Sequence, residues 1–129
     1  MLTSGIYDYI DVMDKAADAA WQRNTAISNN IANQSTPGYK RQEVDFEGTL
    51  RRELSKFEYV SLDEKVSDLH LDHLTTTAYT DAEGYSYRLD GNNVDPEQEY
   101  GELISNRIRY NALIDSMTRE FQRTKSVIK

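Results

Sequence analysis

The chain has 129 residues, a net charge of -7, a hydrophobic fraction of 38% and a mean hydropathy of -0.75. This length fits one folding unit, but so polar a chain is expected to gain part of its burial from partners. The lack of cysteine excludes a disulfide framework, a cysteine-ligated metal and a thiol nucleophile, and the acidic stretch 41–99 argues against nucleic acid as the main partner.

The first arm, residues 1–35, carries the pattern of a coiled-coil helix. Apolar or small residues recur at alternating steps of three and four, interrupted once by asparagine, over more than three heptads. These positions are Ile6, Ile10, Met13, Ala17, Ala20, Asn24, Ile27 and Ile31. The helix must end before Pro37, because proline disfavours helical geometry in the preceding residue.

The end of this arm is rich in asparagine and then turns sharply. Buried amides need partners, so they cost stability but specify register, and we expect them to align this helix with its neighbours. The four are Asn24, Asn29, Asn30 and Asn33. Pro37-Gly38 predicts a type II turn, in which glycine accepts the positive φ.

The middle segment, residues 36–94, is less regular. The stretch EGTLRRELSKF places Leu50, Leu54 and Phe57 on one helical face and predicts a short helix. LHLDHLTTTAYT and YSYRL alternate in period two and predict extended or β segments, with a turn at residues 81–84 between them. No part of this segment has the bulk of a separate core.

The second arm, residues 95–129, repeats the coiled-coil pattern after a clear start signal. Asp95 is suited to cap the helix, Pro96 to its first position, and Gln98 to the reciprocal bond of a capping box. The predicted seam is Tyr100, Leu103, Arg107, Tyr110, Ile114, Met117, Phe121, Thr124 and Ile128.

Charge predicts how the two arms pair. An antiparallel arrangement brings opposite charges together, as Asp8 with Lys125, Asp11 with Arg123 and Asp14 with Arg119. We therefore expect a mainly α fold in which the long N- and C-terminal helices form an antiparallel coiled-coil pair around an irregular middle.

The stretch IANQSTPGYKRQEVDFE resembles the N-terminal signature of bacterial flagellar axial proteins, the rod, hook and hook-associated families. The Ala-Asn-x-x-Thr-Pro-Gly-Tyr motif is complete at residues 32–39, and Val44-Asp45-Phe46 is similar to the proximal rod type, FlgB. LDGNNVDPEQE at residues 89–99, followed by NRIRYNALIDSM, is the second mark of the rod subfamily.

The resemblance implies a structural subunit of the basal-body rod, which crosses the periplasm and transmits torque. Implied partners are other copies of the chain, FlgC-type rod proteins, FliE and the flagellar export gate. It also implies type III export without a cleaved signal, and the first residues indeed lack the basic and apolar regions of a Sec signal. No apolar run approaches the ~20 residues of a membrane span.

The candidate site is accordingly an assembly interface and not a catalytic centre. It comprises the seam positions of both arms together with the residues of the two turns. The turn residues are Asn33, Thr36, Pro37, Gly38, Tyr39, Asp90, Gly91 and Asn92.

Other functions have weaker support in the sequence. SDLHLDHL could be drawn as a metal site on Asp68, His70, Asp72 and His73, but no further ligand has metal spacing, so no metal or cofactor is predicted. No phosphate loop and no pocket for tuning carboxylates are visible, which disfavours an enzyme. The alternative function is a cytoplasmic coiled-coil adaptor or export chaperone, which leaves the two turn motifs without a role.

Overall fold

The computed structural model describes residues 4–58, 60–81 and 88–128, and over these residues the fold is mainly helical. Two long helices at the ends enclose a middle segment of short elements, as the sequence predicts. In chain order the elements are α1 (Ser4–Ala32), β1 (Gln42–Glu43), α2 (Phe46–Ser55), α3 (Leu62–Ser67), a 3₁₀ helix (Leu71–Leu74), β2 (Tyr79–Thr80) and α4 (Pro96–Val127).

The middle segment packs against one face of α1 and forms the main hydrophobic cluster of the chain. Ala19 and Ala26 of α1 meet Val44, Phe46 and Leu74, and all five side chains are buried. The small alanines let the middle segment approach α1 closely. The segment therefore supplies core residues, which its sequence pattern did not indicate.

The short helix and part of the extended structure of the middle segment follow the sequence. The helix predicted around Leu50 is present as α2, and β2 pairs antiparallel with β1, with Thr80 opposite Gln42. The extended prediction is wrong at Leu71–Leu74, which forms a 3₁₀ helix, and α3 was not predicted. Residues 82–84 of the predicted turn and most of YSYRL lie outside the described residues.

Side-chain caps begin the helices α2, α3 and α4. The Asp45 carboxylate accepts from the Gly48 backbone N–H at 2.9 Å, and Ser61 and Glu64 form a full capping box at α3. Asp95 caps α4 with Pro96 after it, as predicted. The reciprocal bond expected from the Gln98 side chain is not formed, and only its backbone N–H meets Asp95.

A second face of α1 packs against α4, and the contacts run in opposite order along the two helices. Asn30 near the end of α1 hydrogen-bonds Glu99 near the start of α4. Further back on α1, the carbonyl of Ala20 accepts from the Asn106 amide at 2.8 Å. The predicted ion pairs between the arms are wrong.

The two α4 arginines of those predicted pairs find partners within their own helix. Arg119 lies 2.8 Å from Asp115 and Arg123 lies 2.8 Å from Glu120. Spacings of three and four residues bring side chains together on one helix surface, so these local pairs need no second helix.

The seam of α4 differs from the predicted one at every second position. Leu103, Tyr110, Met117 and Thr124 are half-buried as expected, but the alternating predicted residues are exposed. These exposed residues are Tyr100, Arg107, Ile114, Phe121 and Ile128. At the first four of these positions the preceding residue is buried or half-buried instead, namely Glu99, Asn106, Leu113 and Glu120. The helix is therefore rotated about its axis, relative to the prediction, by part of the ~100° that one residue spans.

None of the helices within the described ranges combines the length and the apolar character needed to cross a membrane.

Candidate functional site

The two turn motifs, which belong to opposite ends of the middle segment, lie against each other in the fold. Gly38 and Gly91 have φ of +73° and +78°, the left-handed region that glycine adopts without strain. A Cβ on Gly91 would lie 3.7 Å from the Cα of Gly38, and the Gly38 N–H donates to the Asp90 carbonyl at 2.7 Å. We call this contact, with the flanking residues 30–43 and 88–99, the two-turn junction.

The first turn has the predicted type II geometry. The Tyr39 N–H donates to the Thr36 carbonyl at 3.3 Å, and the positive φ falls on Gly38, the third residue of the turn. The Asn33 carboxamide adds a contact, because its oxygen accepts from the Thr36 hydroxyl at 3.2 Å. The end of α1 is thus fixed by local bonds before the chain reaches the second turn.

Asn92 joins the second turn to the end of α1. Its side-chain NH₂ donates to the carbonyls of Asn33 (2.8 Å) and Thr36 (2.9 Å), and more weakly to that of Gln34 (3.2 Å). These carbonyls belong to residues that follow the last residue of α1, so the amide holds the chain in place as it leaves the helix. Its oxygen accepts from the Val94 N–H at 2.8 Å, so the fully buried side chain has partners at both ends.

Asn30 plays the corresponding role inside α1. Its oxygen accepts from the Gln42 N–H (2.8 Å) and the Tyr39 hydroxyl (3.1 Å), and its NH₂ donates to the Gln42 carbonyl and to Glu99. The side chain is completely buried. Asn30 therefore fixes register within its own chain, where the sequence suggested register between neighbours.

Arg41 and Glu99 form the charged part of the junction. The Arg41 Nε lies 2.9 Å from a carboxylate oxygen of Glu99, whose side chain is 1% exposed, and its Nη1 reaches Asp81 at 3.2 Å. The Arg41 backbone N–H also donates to Asn93 at 2.7 Å. A buried carboxylate without its cation is destabilising by several kcal/mol, about 3–5, so this pair ties the start of α4 to the strand after the first turn.

The pKa shifts of Arg41 and Tyr39 reflect the negative charge of Glu99 beside them. Burial opposes the Arg41 charge, but the hydrogen bond and the charge of Glu99 outweigh it and raise the pKa of Arg41. Burial, with the nearby negative Glu99, also raises the pKa of the Tyr39 hydroxyl. Both groups therefore hold their protons throughout the neutral range.

Comparison with known proteins identifies the family. A family model described as flagella basal body rod protein matches residues 12–40. The flagellar basal body rod protein FlgB of Bacillus subtilis is 34% identical over 119 residues, which cover 92% of both chains. The chain belongs to the FlgB family of flagellar basal body rod proteins. FlgB of Borreliella burgdorferi is 28% identical over 93% of this chain and 95% of its own, and that of Cereibacter sphaeroides is 28% identical over 98% of each.

In this FlgB-family chain the structure brings the predicted turn residues of both motifs into one place. It also buries most of the predicted seam of α1. Ile10, Ala17, Ala20 and Ile27 are buried, Met13, Asn24 and Ile31 are half-buried, and the side chain of Ile6 lies outside the described part of the chain. The predicted seam residues of α4 are split between the helix pair and the exposed surface.

The charged pair of the FlgB junction was not predicted as part of the site. Arg41 and Glu99 fell outside the predicted set, although each lies inside a stretch that marks the family. A lone arginine after one turn and an acidic residue in the first turn of the next helix form an available pair. The opposite charges of Arg41 and Glu99 were visible in the sequence. The whole middle segment separates the two residues, however, so no local pattern indicated that they form an ion pair.

A groove lies between α1 and α4 beyond the junction. It encloses about 210 Å³ and is lined by residues of both helices, with Trp21 and Tyr110 at a ring-centroid distance of 6.3 Å. The buried oxygen of the Asn106 side chain lacks a hydrogen-bond partner within the described residues. Trp21 itself is 64% exposed, so the groove is open to a further side chain.

The histidines drawn above as a metal site contact other groups. His73 Nδ1 lies 3.2 Å from Glu53, and the rings of His70 and His73 are 5.3 Å apart. Asp68 ends α3 as its C-cap. Across residues 4–58, 60–81 and 88–128, no three His, Cys, Asp or Glu side chains cluster as metal ligands would.

Proposed function

We propose that this chain is a structural subunit of the proximal rod of the bacterial flagellar basal body. The two-turn junction is the observation that carries the proposal, because it combines the two motifs of the rod family in one buried, hydrogen-bonded unit. A junction of this kind sets the angle between the two long helices. A subunit that transmits torque needs such a fixed angle.

Assembly then uses the surfaces that the junction holds in place. The two end helices pair as an antiparallel coiled coil, and the exposed α4 residues pack against neighbouring subunits. Contacts between different surfaces of successive copies are heterologous, and such contacts propagate a helical tube. The seam and turn residues predicted from the sequence form the interior of each subunit and its border with the next.

The same proposal gives the location and the partners of the subunit. It lies in the periplasmic part of the basal body after export without a cleaved signal. Its neighbours are further copies, rod proteins of the FlgC type, FliE and the export gate.

Replacing Gly38 by valine tests the role of the junction in rod assembly. A β-branched side chain at a φ of +73° is strained by about 1–3 kcal/mol, so the turn moves and the Asp90 bond is lost. In a flagellated bacterium with its own gene deleted, we expect the Gly38→Val chain to restore few rods and little swimming. Electron cryo-microscopy of isolated basal bodies and spreading in soft agar measure the two effects.

Gly101→Val is the matched control. Gly101 is exposed on α4 and an added Cβ meets nothing within 4 Å, so this variant should assemble and swim like the unmodified chain. Normal basal bodies built with Gly38→Val would refute the role of the junction. Rods that form without any copy of the chain would refute the proposed function itself.

A further inference from the structure

The outward edge of α1 is acidic and has no partner within the described chain. Asp11, Asp14 and Asp18 are exposed at steps of three and four, and the next step reaches the exposed Trp21. No hydrogen bond or ion pair holds these three carboxylates within residues 4–58, 60–81 and 88–128. Residues 7–18 contain four aspartates and one lysine, a net charge of -3.

The outward face of α4 has the opposite character. Exposed apolar residues follow one another along it, and cations lie among them. The apolar residues are Tyr100, Ile104, Ile108, Ile114 and Phe121. Arg107 and Lys125 are exposed and have no ion-pair partner in the described part of the chain, whereas the other three basic residues of 107–125 pair with Glu47 of α2 or within α4.

The two surfaces border the same groove and so form one face of the molecule. Trp21 ends the acidic edge, Arg107 belongs to the apolar and basic stripe, and both line the groove between α1 and α4. The middle segment covers the other side of α1, through Ala19 and Ala26. The face is therefore open along both helices.

We propose that this face binds a second copy of the chain, with the acidic edge of α1 in one copy against the apolar and basic stripe of α4 in the other. This inference rests on the proposed function and names the surfaces through which copies meet. The occupant is another copy because the molecule carries both halves of a complementary pair, the three unpaired carboxylates of the α1 edge and the unpaired Arg107 and Lys125 of α4, and an identical molecule supplies both counterparts. Burial of the apolar stripe supplies the driving force, and the charges select its partner and orientation.

The test is the self-association of the purified full-length chain, measured by sedimentation velocity over a range of concentrations. Association through opposite charges should be at least about tenfold weaker at about 500 mM than at about 50 mM salt, because salt screens exposed charges. Two charge-reversal variants test the surfaces separately. They are Asp14→Lys with Asp18→Lys on α1, and Arg107→Glu with Lys125→Glu on α4.

Each reversal alone should abolish self-association, because it leaves like charges facing each other. An equimolar mixture of the two variants should associate again, and so should the chain that carries all four changes. Arg51→Glu with Glu58→Lys is the control, since both residues are exposed on the middle segment away from this face. Circular dichroism of each variant shows whether it has kept its helices.

Restored association in the mixture supports the proposal, and it does so even if one of the variants is less stable. The proposal is overturned if both charge-reversal variants associate as strongly as the unmodified chain. It is also overturned if the unmodified chain stays monomeric at every concentration. If a different protein covers this face in the cell, the purified chain should stay monomeric. Rod assembly by the unmodified chain in cells is a separate measurement, so the proposed function can stand while this inference fails.

Discussion

At the scale of single residues, Asn92 shows why the two-turn junction needs an amide and not merely a polar group. Three backbone carbonyls converge on its NH₂, and one backbone N–H donates to its oxygen. A carboxylate has the same shape but cannot donate. A hydroxyl is too short to reach both sides, so asparagine is the residue that satisfies this site.

We predict that Asn92→Asp lowers the free energy of unfolding by about 2–4 kcal/mol. The change turns a donor into a negative charge that faces the carbonyl oxygens of Asn33, Gln34 and Thr36 in a buried site, so three attractive contacts become repulsive. Urea titration followed by circular dichroism at neutral pH measures the loss. Asn111→Asp, on the exposed surface of α4, should stay within about 0.5 kcal/mol of the parent chain. Equal midpoints for the two variants would show that Asn92 does not hold the end of α1.

At the scale of helices, the rotation of α4 shows what pattern reading can and cannot predict. The heptad pattern predicted the existence, limits and four seam positions of α4 because these follow from local spacing. The same pattern placed Tyr100 and Ile114 in the seam, whereas in the structure the neighbouring Glu99 and Leu113 are the more buried residues. The bonds of Glu99 to Arg41 and Asn30 reverse the first choice, because they fix the first turn of α4 with its acidic residue inside.

The middle segment was underestimated for a related physical reason. Val44 and Phe46 are neighbours in the sequence, but Leu74 lies far from them along the chain, so no local window reveals a core. They converge because α1 offers a face of alanines that accepts them. Ala19 and Ala26 were visible in the sequence, but small residues at helical spacing do not indicate which element will cover them. In the junction, the turn geometry was likewise local and predictable, whereas the pairing of the two turns across the middle segment was not.

Glu47 links three helices and provides a prediction on pH. Its carboxylate, at the start of α2, binds Arg23 of α1 and Arg109 of α4. Partial burial disfavours the charged form, but these two cations outweigh it and lower the pKa of Glu47 below its ordinary 4.5. A lowered folded-state pKa contributes stability above the unfolded value, and this contribution disappears as the pH falls through the folded value.

We therefore predict that Glu47→Gln reduces stability at pH 7 but not in acid below the lowered folded-state pKa, where the parent carboxylate is itself protonated. The difference at pH 7 should be under about 1 kcal/mol, since solvent screens a half-exposed pair. Urea unfolding at both pH values measures it. Glu102 is exposed and has no ion pair in the described chain, so Glu102→Gln should leave the stability close to that of the parent chain at both pH values. A Glu47→Gln effect of equal size at both pH values would contradict the ionic link.

At the scale of the whole molecule, burial is concentrated near the junction and fades toward the far end of α4. The fully buried residues of α4 are Glu99 and Asn106, and residues 107–128 are half-buried or exposed. Most of the stability of a helix in a protein comes from tertiary packing, so the far part of α4 is the least stabilised. The subunit is thus a folded centre with one helix extending beyond it.

This gradient predicts the hydrogen-exchange behaviour of α4. In the dilute monomer, backbone amides near Asn106 should exchange slowly, while those beyond Met117 should exchange at least about a hundredfold faster, because local opening there breaks few contacts. On assembly the fast amides should become protected as neighbouring copies cover the exposed stripe. Exchange measured by mass spectrometry on the monomer and on assembled rods gives both values. Uniform slow exchange along α4 in the monomer would instead favour a free-standing coiled-coil adaptor, whose helices are complete before it meets a partner.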